Sequence, residues 1–155
     1  MIKNKFLSFI LFFFITYTPS TIGGLASIKY KEPWYSLLNK PEFSPPEWIF
    51  GPVWTILYFM MSLSIWLYWD SDSRQKNTLY IYLIHLVFNS TWSIVFFVFH
   101  NLLLALIVLF ILIALIINLI TRFKHVNILS SYLMIPYLLW CTFALVLNIN
   151  LIMIN

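Results

Sequence analysis

Three sets of aromatic and amide side chains recur at helical spacing within apolar parts of this 155-residue chain. Phe50, Trp54 and Tyr58 stand at i, i+4 and i+8. His85, Asn89, Trp92 and Phe96 follow at i, i+4, i+7 and i+11. Tyr137, Trp140, Ala144 and Asn148 advance by three, four and four residues. Each set marks one face of a helix. Polar side chains inside apolar helices are costly and turn toward the protein interior. The three faces can therefore converge on one hollow, with indole and phenol walls and a few amide and hydroxyl groups. Such a hollow suits a flat, largely apolar ligand with polar edges. Each residue also has a plainer reading: ring packing between helices, an interhelical hydrogen bond for Asn89 and Asn148, a satisfied interior histidine for His85. Spacing alone does not separate the two.

Other chemistries find little support. No second histidine or carboxylate shares the face of His85, so no metal site is expected. Cys141 is the single cysteine, which excludes an intrachain disulfide and a cysteine-based metal cluster. There is no G-x-S-x-G, no HExxH, no P-loop and no glycine-rich dinucleotide turn. No fixed cofactor is expected. All five acidic residues fall in links or at a helix start, which argues against ion-coupled transport through buried carboxylates.

The elements that must position these residues follow from composition. The chain is 62% hydrophobic and 9% charged, with a mean hydropathy of +0.90. Soluble domains carry roughly 25% charged residues. A chain of this length cannot hide so much apolar surface, so the expected fold is an all-α membrane protein, a bundle of five transmembrane helices surrounded by lipid. A span needs about 20 apolar residues. Five stretches qualify, at about residues 5–28, 45–69, 79–99, 102–120 and 128–154, and they make one domain covering residues 1–155. The first is expected to be a retained span rather than a cleaved signal peptide, since no A-x-A-like site follows it. Its Ser20, Gly23, Gly24 and Ser27 allow close helix approach. The fourth is nearly pure Leu, Ile, Val and Ala. The short link at His100-Asn101 predicts a tight hairpin between the third and fourth spans.

Prolines punctuate the pattern. Ser44-Pro45-Pro46-Glu47 reads as a helix start, with Ser44 as cap and Glu47 in the capping-box position, so the second span is expected from about Pro45. Pro52 should then bend that helix and Pro136 should kink the fifth. The link over residues 29–44 is stiffened by its prolines and is expected to act as a lid, with Trp34 and Tyr35 over the cavity mouth.

The net charge of +4 comes from few groups, clustered near helix ends, so it signals topology and not nucleic-acid binding. Lys3, Lys5, Arg74, Lys76, Arg122 and Lys124 fall on one side; Lys29, Lys31 and Lys40 fall on the other. Six against three places the N-terminus in the cytoplasm, and the C-terminus and the proline-rich link outside, if the chain lies in a bacterial inner membrane.

One combined pattern is specific. Trp34-Tyr35, Lys40-Pro41, Pro45-Pro46, Phe50-Gly51-Pro52-Val53-Trp54-Thr55 and Leu57-Tyr58 are followed by Asn89, Trp92-Ser93 and Phe96-Phe97, then by Pro136-Tyr137, Trp140, Phe143-Ala144 and Leu147-Asn148. In order and content this resembles the tryptophan-rich sensory protein family, which includes the mitochondrial translocator protein, or peripheral benzodiazepine receptor. The resemblance implies a five-helix bundle, usually a homodimer, with a ligand cavity under the first link. It implies a receptor or sensor for porphyrin-like tetrapyrroles such as protoporphyrin IX and for benzodiazepine or isoquinoline ligands, the porphyrin being a ligand and not a fixed cofactor. It also implies two alternatives: light-dependent degradation of protoporphyrin, with Trp54 and Trp140 as the catalytic tryptophans, or a carrier of porphyrin or lipid. Carried over to this chain, the cavity residues would include Tyr35, Tyr58, Asn89, Trp92 and Ala144. Phe43 stands where the family often has tryptophan, and His85 where it often has an amide. The C-terminal stretch lacks the tyrosine and basic residue of the animal cholesterol motif, which argues against a sterol site there.

Overall fold

The computed structural model describes residues 4–155, so Lys3, counted above for topology, lies outside the described residues. Helix α1 spans Lys5–Tyr30 and opens on Asn4, whose side chain accepts hydrogen bonds from the Phe6 and Leu7 amides. The first link holds one short helix, α2, Trp34–Leu37. A 3-10 turn at Glu47–Ile49 leads into α3, Phe50–Asp70. Helices α4, Lys76–Phe97, and α5, Leu102–Lys124, form a hairpin. The last crossing is built from two pieces, α6, Ile128–Leu133, and α7, Ile135–Ile154. Five helical segments are long and apolar enough to cross a membrane, and no strand occurs among the described residues. The protein is an all-α, multi-pass integral membrane protein.

One helix start and one helix interior differ from the sequence expectation, both because of proline. Helix α3 begins at Phe50 rather than near Pro45, and Ser44 caps nothing. A residue before proline is pushed out of the helical region, and Pro45 precedes Pro46. Pro46 itself is extended, at φ −56° and ψ 142°. Pro52 consequently falls in the first turn, where its missing N–H costs nothing. In the fifth crossing Pro136 does not kink one continuous helix. It sits in the first turn of α7, and the chain breaks from α6 at Met134.

The helices pack in a ring, α1 beside α4, α4 beside α5, α5 beside α6 and α7, and α3 closing against α6 and α1. Helix α5 turns Ala105, Leu109, Leu112, Ile116, Leu119 and Phe123 inward, all at most 2% exposed. These alternate by four and three residues, a seam that keeps one face on its neighbours. Its Leu103, Ile107, Phe110 and Ile117 point outward, as lipid contact requires.

The ring is tight at one end and open at the other. At the closed end Ser64 Oγ donates to the Ser130 carbonyl at 2.6 Å, Tyr68 packs on Phe123, and Lys5 pairs with Asp70 at 2.8 Å. Helix α3 packs there mainly on α6 and touches α7 only slightly, so α3 and α7 diverge toward the first link. That link is tied down at its far end: Asn155 Oδ1 accepts from the Asn39 amide at 2.9 Å, and Asn155 Nδ2 donates to the Asn39 carbonyl at 3.0 Å. Replacing Asn155→Ala should speed amide hydrogen exchange at residues 38–40 several-fold while the exchange of α5 is unchanged. Unaltered exchange in the link would show that these bonds do not hold it.

Candidate functional site

Where α3 and α7 diverge, the bundle encloses a cavity of about 340 Å³. This lies at the low end of the roughly 300–1,000 Å³ typical of small-molecule sites. Helix α3 contributes Phe50, Trp54 and Tyr58; α4 contributes Trp92, Phe96 and Phe97; α7 contributes Trp140, Ala144 and Asn148. Helix α1 supplies a wall the sequence reading had treated only as a packing face: Ser20, Gly23, Gly24 and Ser27. Lys31, Tyr35 and Glu47 stand at the mouth.

The ring geometry is ordered. Trp54 stacks on Tyr58 at 5.4 Å, Trp92 on Phe96 at 5.1 Å, and Phe50 meets Trp140 edge-on at 5.8 Å. Such pairs contribute about 0.5–1.5 kcal/mol beyond their buried area. They hold the ring faces in fixed planes, which suits a flat ligand. Two polar groups on the wall have no partner. The amide of Asn148, in a residue only 2% exposed, lacks hydrogen bonds at both Nδ2 and Oδ1, and the indole N–H of Trp92 lacks one as well. An orphaned buried polar group costs roughly 1–3 kcal/mol. Both residues border the cavity, with these polar atoms themselves buried behind its surface.

Four of the residues singled out in the sequence stand elsewhere. Trp34 does not line the cavity. Its indole stacks on His100 at 4.4 Å and meets Phe96 at 5.4 Å, so it braces the wall from behind while Tyr35 faces the mouth. His85, Asn89 and Tyr137 form a buried strut beneath the cavity; of these, Asn89 borders only a small void of about 10 Å³ beside Trp54 and Cys141. The Tyr58 hydroxyl donates to Asn89 Oδ1 at 2.6 Å, Asn89 Nδ2 donates to the Tyr137 hydroxyl at 2.8 Å, and the Tyr137 hydroxyl meets His85 Nε2 at 3.1 Å. His85 Nδ1 lies 3.2 Å from the Tyr82 carbonyl. That carbonyl can only accept. An imidazole proton on Nδ1 leaves Nε2 to accept from Tyr137, and every member is satisfied. His85 is a satisfied interior histidine, joining α4 to α7 and, through Asn89, to α3.

The mouth carries the cavity's charge. Lys31 Nζ pairs with Glu47 Oε2 at 2.5 Å, and Lys40 Nζ approaches Glu47 Oε1 at 3.4 Å. Lys40 Nζ also sits 4.1 Å above the Tyr35 ring, a cation–π arrangement. The hydrogen bond to Glu47 raises the Lys31 ammonium above its usual range, so it stays charged. Burial, and then the Glu47 carboxylate, raise the Tyr35 phenol, which stays neutral. The sequence placed Lys40 in the link but did not pair it, and missed Lys31 and Glu47 as site residues; the capping signature had given Glu47 another task. His100 was also missed. It adopts φ 52° just past the end of α4, where the Asn101 amide reaches the Val95 carbonyl at 3.2 Å.

Five membrane-spanning helices around an internal cavity, roofed by a proline-rich link, define a multi-pass membrane protein with a ring-walled hollow. The model of the TspO/MBR family matches residues 9–154, and this chain belongs to that family. It is 36% identical over 138 residues to the tryptophan-rich protein TspO of Archaeoglobus fulgidus, covering 86% of this chain and 87% of that protein. It is 33% identical to the tryptophan-rich sensory protein of Cereibacter sphaeroides, covering 88% and 84%. With the human translocator protein it shares 31% identity, over 74% of this chain and 70% of that protein.

The two glycines of α1 should behave oppositely. A Cβ at Gly23 would lie 2.7 Å from Ser93 Oγ and 3.3 Å from Ser93 Cβ, whereas one at Gly24 meets nothing within 4 Å. Gly23→Val should wedge α1 from α4 and cost about 1–3 kcal/mol, read as a lower melting temperature in detergent. Gly24→Leu should leave melting nearly unchanged while filling the cavity. Equal melting of both variants would contradict this placement of α1.

Proposed function

We propose that this protein is a membrane receptor or sensor that takes a flat, porphyrin-like tetrapyrrole between the rings of α3, α4 and α7. The observation that carries this reading is the pair of unpartnered polar groups, the Asn148 amide and the Trp92 indole N–H, in residues that border a cavity walled by the aromatic rings of α3, α4 and α7. A porphyrin offers a large π-face to the rings and polar groups at its nitrogens and edges. The likeness to proteins named as sensory and translocator proteins supports the same reading. A drug-sized aromatic amide would use the same features.

A second reading is light-dependent degradation of protoporphyrin. It is favoured by one fact: the indoles of both Trp54 and Trp140 border the cavity. A stacked indole can give an electron to a photo-excited porphyrin, but stacking is also what binding alone requires.

Titrating protoporphyrin IX into the purified protein in the dark, followed by tryptophan fluorescence, separates these. The wild type should bind. Asn148→Leu should weaken binding roughly five- to tenfold, the value of one or two neutral hydrogen bonds. Unchanged affinity in both Asn148→Leu and Trp92→Phe would reject the polar anchors. Under illumination, loss of pigment decay in Trp54→Phe and Trp140→Phe with dark binding retained indicates chemistry; no protein-dependent decay leaves a receptor.

The distribution of lysine and arginine supports a cytoplasmic N-terminus and a cavity mouth on the opposite side. In a Cys141→Ser background, a cysteine at position 42 should react with a membrane-impermeant maleimide from outside intact cells and one at position 77 should not. The reverse pattern would invert the topology.

A further inference from the structure

We propose that Lys31 and Glu47 form a carboxylate-exchange gate at the cavity mouth, by which the site distinguishes a ligand bearing a carboxylate from its uncharged counterpart. The inference rests on the cavity being a ligand site, as read above, and adds to it the group that the mouth recognises.

Lys31 and Glu47 are the only charged residues among the described ones that line the cavity, and they are bonded to each other. Their side chains are 25% and 48% exposed, so the pair lies at the boundary between cavity and surroundings. A cation held by the protein's own carboxylate is already shaped to hold a carboxylate. An incoming one can take the place of Glu47 Oε2 on Lys31 with a like hydrogen bond. Glu47 need not be left alone, because Lys40 Nζ lies 3.4 Å from its other oxygen. Lys40 is in turn steadied over the Tyr35 ring. The exchange therefore replaces one charge-assisted bond by another and strands no ion. An uncharged ligand gains nothing from Lys31 and must pass a closed pair.

The backbone keeps the partners in place. Glu47 sits in the 3-10 turn after Pro45-Pro46, with the Ile49 amide bonded to the Pro46 carbonyl at 3.0 Å. Lys31 follows directly on α1, its amide bonded to the Ser27 carbonyl at 3.1 Å. Glu32 is the remaining neighbour, its carboxylate 3.7 Å from Lys31 Nζ and 53% exposed. Lys31, Lys40, Glu32 and Glu47 together carry no net charge. Preference for an acid must then come from exchange at Lys31 and not from a general positive potential. Removing the charge of Glu47 frees Lys31 and should sharpen the preference.

The test compares dark binding of protoporphyrin IX, which carries two propionates, with that of its dimethyl ester, in the same detergent. The acid-to-ester affinity ratio of each variant is divided by that of the wild type, so that micelle partitioning cancels. Glu47→Gln should raise the ratio about tenfold, the value of one charge-assisted hydrogen bond no longer contested. Lys31→Gln should abolish the preference, and Lys31→Arg should retain it. Lys31→Gln with Glu47→Gln should behave as Lys31→Gln alone. If Lys31→Gln fails to fold, Glu47→Gln decides alone, since it removes a competitor and not the recognising group. A ratio unmoved by Glu47→Gln, with both ligands still bound by the wild type, overturns the gate and leaves the cavity reading intact. Binding of neither ligand to the wild type overturns both.

Discussion

A bilayer interior offers no water to a polar group that lacks a partner, and the architecture of this bundle follows from that constraint. Below the cavity the Tyr58, Asn89, Tyr137 and His85 side chains meet it completely, each giving what the next can accept, down to the backbone carbonyl of Tyr82. Tyr82 itself is satisfied through Thr16 at 2.8 Å, which brings α1 into the same system. Four helices are thereby joined by directional bonds where packing alone could slide. Among the described residues the buried side chains of Thr78, Trp92, Ser130 and Asn148 keep polar atoms without a partner, and of these Trp92 and Asn148 border the cavity.

The cavity exists because two helices that meet at one end part at the other. Ser64 and Ser130 bring α3 and α6 together at the closed end. The last crossing breaks at Met134 into α6 and α7, since Pro136 offers no N–H to continue the helix. Aromatic rings fill only part of the gap. Small residues on α1 leave the remainder open: Gly23 permits close approach to Ser93 on α4, while Gly24 fronts empty space. One glycine serves packing and its neighbour serves volume.

The roof depends on contacts from several directions. Trp34 is clamped by His100, whose ring Nε2 also reaches the Tyr30 carbonyl at 2.9 Å. A non-glycine residue at positive φ costs roughly 1–2 kcal/mol; the stacking and this hydrogen bond offset it. Tyr35 lies between Phe96, Phe97 and the Lys40 ammonium. With Asn39 bound to Asn155, the link is held to α4 and α7. It is an ordered cover whose charged edge is the Lys31–Glu47 pair.

The sequence by itself determined the membrane class, the five crossings and the helix faces, because apolar fraction and 3.6-residue periodicity are local properties of the chain. It also determined that Trp54, Trp92, Trp140 and Asn148 lie on faces turned toward the protein, since an amide or indole N–H is costly against lipid. Which of those faces border empty space was decided only by the tertiary structure. His85, Asn89 and Tyr137 share periodicity with the cavity residues but lie deeper, where three helices still touch, and depth along a bundle is not encoded in spacing. The start of α3 was misplaced because a capping signature and a double proline compete over the same four residues, and proline's fixed backbone prevailed. Lys31 in the link and Glu47 in the turn before α3 lie 16 residues apart, with no periodicity to join them. Only the folded path of the chain sets their charges together at the mouth.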